Sequence, residues 1–148
     1  LTPTSLKDLK ADLSTAIEAT TPTEKTGHLW RDVGSGDPWG LELRRFRLDF
    51  EPTELEEVEG ESIFAGGNTW ATIMRVVCSY TAREITEEEW IIDADARDLW
   101  HRLDSQVPSI TGAVYVGPPT WVDAETSEDG DTFGWFEFLV RFLAPDGA

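Results

Sequence analysis

Apolar positions recur along this chain with two periods, one helical and one alternating. Leu6, Leu9, Leu13, Ala16 and Ile17 fall at helical spacing while Lys7, Lys10, Asp12 and Glu18 face away, which predicts an amphipathic helix over residues 5–19. Ser5 with Asp8 three residues on resembles a capping arrangement, with an acid in the positively polarised first turn. Thr20, Thr21 and Pro22 end it. Residues 23–40 are punctuated by Gly27, Gly34, Gly36, Asp37-Pro38 and Gly40, with room for a short strand at Leu29, Trp30 and Val33. Gly34-Ser35-Gly36 lacks a following Gly-Lys-Ser/Thr and is not a phosphate loop.

From Leu41 the pattern alternates. Leu41 and Leu43 alternate with Glu42 and Arg44, and Phe46, Leu48 and Phe50 with Arg45, Arg47 and Asp49; the phase slips at Arg44-Arg45, as a bulge would make it. Residues 51–61 carry Glu51, Glu54, Glu56, Glu57, Glu59 and Glu61 with Pro52 and Gly60, the pattern of a solvated connection or projecting hairpin. Residues 69–81 read as a strand with Trp70, Thr72, Met74, Val76, Cys78 and Tyr80 on one face and Ala71, Ile73, Arg75, Val77 and Ser79 on the other. Apolar residues on both faces predict a central strand with something packed on each side.

A second helix is expected over residues 86–104, opened by the capping box Thr86-Glu87-Glu88-Glu89. Its buried stripe would be Ile92, Ala96, Leu99 and Leu103, widened by Trp100 and Val107, with His101 and Arg102 near the C-terminal end and Pro108 closing it. Short strands are expected at residues 110–116 and 120–124, an acidic turn at 125–131 and a last strand at 132–143. On that strand Phe136, Phe138, Val140 and Phe142 share one face, and Trp135, Leu139 and Leu143 share the other with Glu137 and Arg141. It should lie deep in the sheet or in a subunit interface. The expected fold is therefore α+β: a mixed, mainly antiparallel sheet, two helices, and a long acidic hairpin.

Length adds one constraint: 148 residues fit a single domain over residues 1–148. With 40% hydrophobic residues, seven Trp and seven Phe, the chain has the material for a real core. The first twenty residues lack an apolar h-region, so no signal peptide is expected, and no run of roughly twenty apolar residues suggests a bilayer span. Cys78 is the single cysteine, which excludes an intrachain disulfide; in a core strand it reads as a small buried hydrophobe.

Candidate chemistry is sparse. Glu125, Ser127, Asp129 and Gly130 imitate the start of a calcium loop, yet its first position is Glu and its twelfth would be Phe136. His28 and His101 have no partner at ligand spacing. No Gly-x-Ser-x-Gly elbow occurs, and nothing singles out one acid pair for general acid–base work. Neither enzymatic activity nor a metal or other cofactor is expected.

Charge changes the picture more. Against 29 Asp and Glu stand 12 Lys and Arg, a formal net charge of −17, which argues against phosphate-backbone binding as the main task. The acids gather over residues 49–61, 84–98 and 123–131. Solubility is one reading of such blocks; a surface that repels or imitates polyphosphate is another. Arg44, Arg45 and Arg47 are the densest basic patch, expected to pair with carboxylates inside the fold or across a subunit contact.

In element order the chain resembles the tail terminator (tail-completion) proteins of long-tailed bacteriophages and related gene transfer agents. The segments that carry the resemblance are SLKDLKADLSTAIEA, WATIMRVVCSYT, ITEEEWIIDADARDLWHRL and WFEFLVRFL. The resemblance implies two helices on one sheet face and a homo-oligomeric ring, six copies in that family. The ring caps the tail tube protein, stops tube growth and meets the head–tail connector or stopper protein. DNA passes through without specific binding, no membrane is involved, and the protein sits in the tail or neck of the virion after assembly in the host cytoplasm. It further implies that Arg44, Arg45, Arg47, Glu54, Glu56, Glu57 and Glu59 contact a neighbour or partner. Asp123, Glu125, Glu128, Asp129 and Asp131 would lie at the lumen or ring edge. Acidic walls suit a DNA channel because like charge prevents adhesion, screened beyond a Debye length of about 8–10 Å. Three alternatives stay open: a connector or stopper ring, an acidic DNA mimic that inhibits a DNA-binding enzyme, and a small α+β domain with a ligand pocket or enzymatic activity.

Overall fold

The computed structural model describes residues 3–34, 42–55, 67–110 and 112–145. Its elements are α1 (Leu6–Glu18), β1 (Arg31–Asp32), β2 (Arg45–Phe50), β3 (Glu54–Leu55), β4 (Gly67–Tyr80), α2 (Ala82–Thr86), α3 (Trp90–Gln106), a 3-10 turn (Val107–Ser109), β5 (Ala113–Val116), β6 (Thr120–Thr126) and β7 (Thr132–Pro145).

The sheet is built around one long antiparallel ladder, β4 against β7, fourteen residues each, running from Gly67↔Pro145 to Tyr80↔Thr132. Beyond β4 lie β2, paired at Met74–Val77, and β3, paired at Trp70 and Ala71. Beyond β7 lie β6, over Thr132–Glu137, and β5, over Val140–Phe142. β1 adds the single parallel pairing, Arg31↔Arg45 and Asp32↔Phe46. The architecture is α+β with a mixed, mostly antiparallel sheet.

Alternation decides which face is covered. Phe46 and Leu48 of β2, Met74, Val76, Cys78 and Tyr80 of β4, and Phe136, Phe138, Val140 and Phe142 of β7 are all buried. Against them pack Leu9, Leu13 and Ile17 of α1 and Ile91, Leu99 and Leu103 of α3, each at most 1% exposed. Each such side chain contributes roughly 1.5–3 kcal/mol on burial. The other face of the sheet carries Ile73, Arg75, Trp135, Glu137, Leu139 and Arg141, all half-buried, together with Val77, Ser79 and Leu143, which are buried. β4 thus buries side chains on both faces, Met74 and Val76 on the helix side and Val77 and Ser79 on the other.

Element starts follow capping chemistry, not always where the sequence pattern put it. Ser5 caps α1, its side chain accepting from the Asp8 N–H at 3.2 Å. The capping box further on is Thr81 with Glu84, opening the short α2, rather than Thr86 with Glu89. α3 starts at Trp90 without a side-chain cap. Its buried stripe is Ile91, Asp95, Leu99 and Leu103, with Ile92 and Ala96 only partly buried. The helix is rotated relative to the expected stripe because Asp95 is drawn into the core. The slip at Arg44-Arg45 is not a bulge: Arg44 is left-handed, φ 65°, and turns its side chain inward before β2 begins.

Candidate interaction surfaces

Arg44 and Asp95 meet in the interior, both side chains 0% exposed, with Arg44 Nη2 at 2.8 Å from Asp95 Oδ1. Arg44 Nε donates to the same oxygen, Nη1 donates to the carbonyls of Lys25 and His28, and Nη2 also donates to the Glu24 carbonyl. The Tyr80 hydroxyl donates to the other Asp95 oxygen at 2.7 Å. Burial pushes the Asp95 carboxyl up, and the bonds from Arg44 and Tyr80 pull it back only in part. The same burial raises Tyr80 and Cys78 well above their ordinary values. Arg44 is thus a clamp that holds the loop after α1 against α3 and β4. With its side chain 0% exposed, Arg44 takes the first of its two expected partners, a carboxylate inside the fold.

A second clamp holds that loop. Lys25 Nζ donates to Glu84 Oε2 at 2.9 Å. Burial raises the Glu84 carboxyl, but hydrogen bonds from the Thr81 backbone and from Lys25 outweigh it, leaving the net shift downward.

The remaining basic residues sit at one side of the sheet. Arg47 pairs with Asp49 and the half-exposed Arg45 with Glu42. In register, Arg31, Arg45 and Arg47 share the face away from the helices, since Arg31 lies beside Arg45 and Arg47 opposite Val77. Further along this face Arg75 bridges Glu51 and Glu137 and stacks over Trp135 at 4.9 Å. On the helix side of the same edge, Lys7 and Lys10 of α1 stand with Leu6, Leu48, Asp49 and Phe50 around an open groove of about 650 Å³. Neither lysine has an ion-pair partner among the described residues.

The expected acidic residues fall at the opposite side. Asp123 and Glu125 are exposed on β6, and Glu128 and Asp129 on the turn that follows. That turn is closed by Ser127 and Asp131, with Gly130 left-handed at φ 87°. Asp123 accepts from the Trp121 indole, and Asp131 accepts from the N–H of Ala82 at the start of α2. Asp131 therefore fastens α2 to the turn, a structural task beside its expected edge position. Asp123 pairs with Gly134 on the helix side, whereas Glu125, after a bulge, pairs with Phe133 on the opposite side. Glu54 lies on β3; Glu56, Glu57 and Glu59, and with them most of the expected acidic hairpin, lie outside the described residues.

The structure thus separates residues that the sequence grouped: Arg44 goes inside, while Arg45 and Arg47 go to an edge. It also adds Lys7, Lys10 and Arg31 to that edge. The sequence gives no sign of this beyond the polar face of α1, because the groove forms only when α1 is laid beside β2. No family model matches this sequence, and no curated protein is significantly similar to it.

Proposed function

We propose that the chain is a structural subunit of a phage-like particle, a ring-forming tail terminator that caps the tail tube and passes DNA to or from the head connector. The observation that carries this reading is a sheet whose β6 edge is paired to no other described strand besides β7. The face away from the helices bears half-buried Ile73, Trp135 and Leu139, and exposed Asp123 and Glu125 on β6 stand across the sheet from exposed Lys7 and Lys10 beside β2. Such a surface suits a subunit finished by neighbours. A net charge of −17 per copy keeps a passing polyanion from adhering to a ring.

Size-exclusion chromatography with light scattering at about 0.15 M salt, where exposed charges are largely screened, tests the reading together with negative-stain images. A closed ring of one copy number is the expected result. A monomer at every concentration, binding tightly to a DNA-binding enzyme in competition with DNA, would instead establish the DNA-mimic alternative, which the exposed acids of β6 and its turn also suit.

A further inference from the structure

We infer that neighbouring copies join head to tail, the acidic β6 edge of one copy seated along the basic α1–β2 edge of the next. This rests on the ring reading above and names the surfaces that would form the ring. Two features of the fold point to it. β6 is an edge strand, paired to β7 on one side and to no other described strand, and residues 123–126 are exposed. On the opposite side of the molecule, β2 is flanked among the described residues over Arg45 and Phe46 by the two-residue β1, with Leu48, Asp49 and Phe50 beside the groove under Lys7 and Lys10.

Charge then fixes which edge meets which, and in what orientation. A sheet continued across a head-to-tail contact keeps its helix-bearing face on the same side in both copies. On that side Asp123 of one copy would meet Lys7 and Lys10 of the next. On the side away from the helices Glu125 would meet Arg31 and Arg45. The bulge between Asp123 and Glu125 is what directs these acids to opposite faces. Four acids also stand at this edge: Asp49 paired with Arg47, Glu42 with Arg45, Asp32 accepting from the Ser14 hydroxyl at 2.6 Å, and Glu18 accepting from the Asp32 N–H, while Lys7 and Lys10 rim the groove itself. Either edge set against its own kind is disfavoured. β6 on β6 opposes carboxylates, and the lysine-rimmed groove on itself opposes ammonium groups. The contact is therefore heterologous, the kind that closes into rings.

A charge swap tests it. The double variant Lys7→Glu with Lys10→Glu, and the double variant Asp123→Lys with Glu125→Lys, change exposed side chains only. Each alone should raise the concentration needed for ring formation at least about tenfold in sedimentation velocity at low salt. Mixed in equal amounts, they should regain rings, because every contact then pairs either two native or two reversed edges. Should either double variant fail to melt cooperatively, Lys10→Glu and Glu125→Lys take its place. Variants that assemble like wild type, or a mixture no better than its components, overturn the edge assignment and leave the ring reading standing. A wild-type chain that forms no ring overturns the ring reading itself.

Discussion

Arg44 illustrates how much of this molecule depends on one side chain in an unusual backbone setting. With its partner removed, a buried charge is left uncompensated, a loss of about 3–5 kcal/mol. Arg44→Met should therefore lower the unfolding free energy by that order in urea titration, and Tyr80→Phe by about 1.5–3 kcal/mol, the worth of a hydrogen bond to a charged group. Glu84 supplies a pH signature. Its carboxyl is held below its ordinary 4.5 in the folded state, so its contribution is present above that pH and is lost as pH falls through the lowered value. The stability gap between wild type and Glu84→Gln, read as the difference in thermal midpoint, should be full at neutral pH and narrow on acidification below 4.5. Asp95, shifted the other way, acts alike in both proteins and cancels from the comparison. That Arg44 would meet a carboxylate was legible in sequence, but not which one. Arg44 and Asp95 are 51 residues apart, and their encounter needs a left-handed residue that nothing in the local pattern marks.

At the scale of elements, alternation was a sound guide. The apolar faces of β4 and β7 came out as the sequence pattern placed them, since a period of two is fixed by strand geometry. Helix phase was less secure. A polar Asp95 on the buried stripe of α3 displaced the expected Ile92 and Ala96 toward the margin, because an internal arginine outranked apolar periodicity. Capping motifs were ambiguous for a related reason: Thr81 and Thr86 both precede acids, and only the fold decides that Thr81 caps. The β6–β7 pairing rests on close approach at Gly134, where a Cβ would lie 2.0 Å from the Val122 carbonyl oxygen. Gly134→Ala should force the strands apart, lower stability by about 1–3 kcal/mol, and loosen β6. Hydrogen exchange would show the loss confined first to residues 120–126, with β4 amides still protected.

Across the whole molecule, charge is polarised by topology rather than by composition. An overall count of −17 conceals a basic edge and an acidic edge. That arrangement was only half visible beforehand: the acidic blocks stood out as runs, whereas Lys7, Lys10 and Arg31 are scattered in sequence and gathered by the fold. Edges of opposite sign also make self-association sensitive to salt, so ring formation should weaken as ionic strength rises from about 0.05 to 0.5 M and the Debye length shrinks, measurable as a falling weight-average mass. Cys78, the sole thiol, is 1% exposed near the C-terminal end of β4 and holds its proton firmly. The native protein should therefore ignore thiol reagents until it unfolds, giving a built-in reporter of global opening. A single cysteine introduced at the surface would be a unique attachment point for a fluorophore or spin label, with no need to remove the natural one.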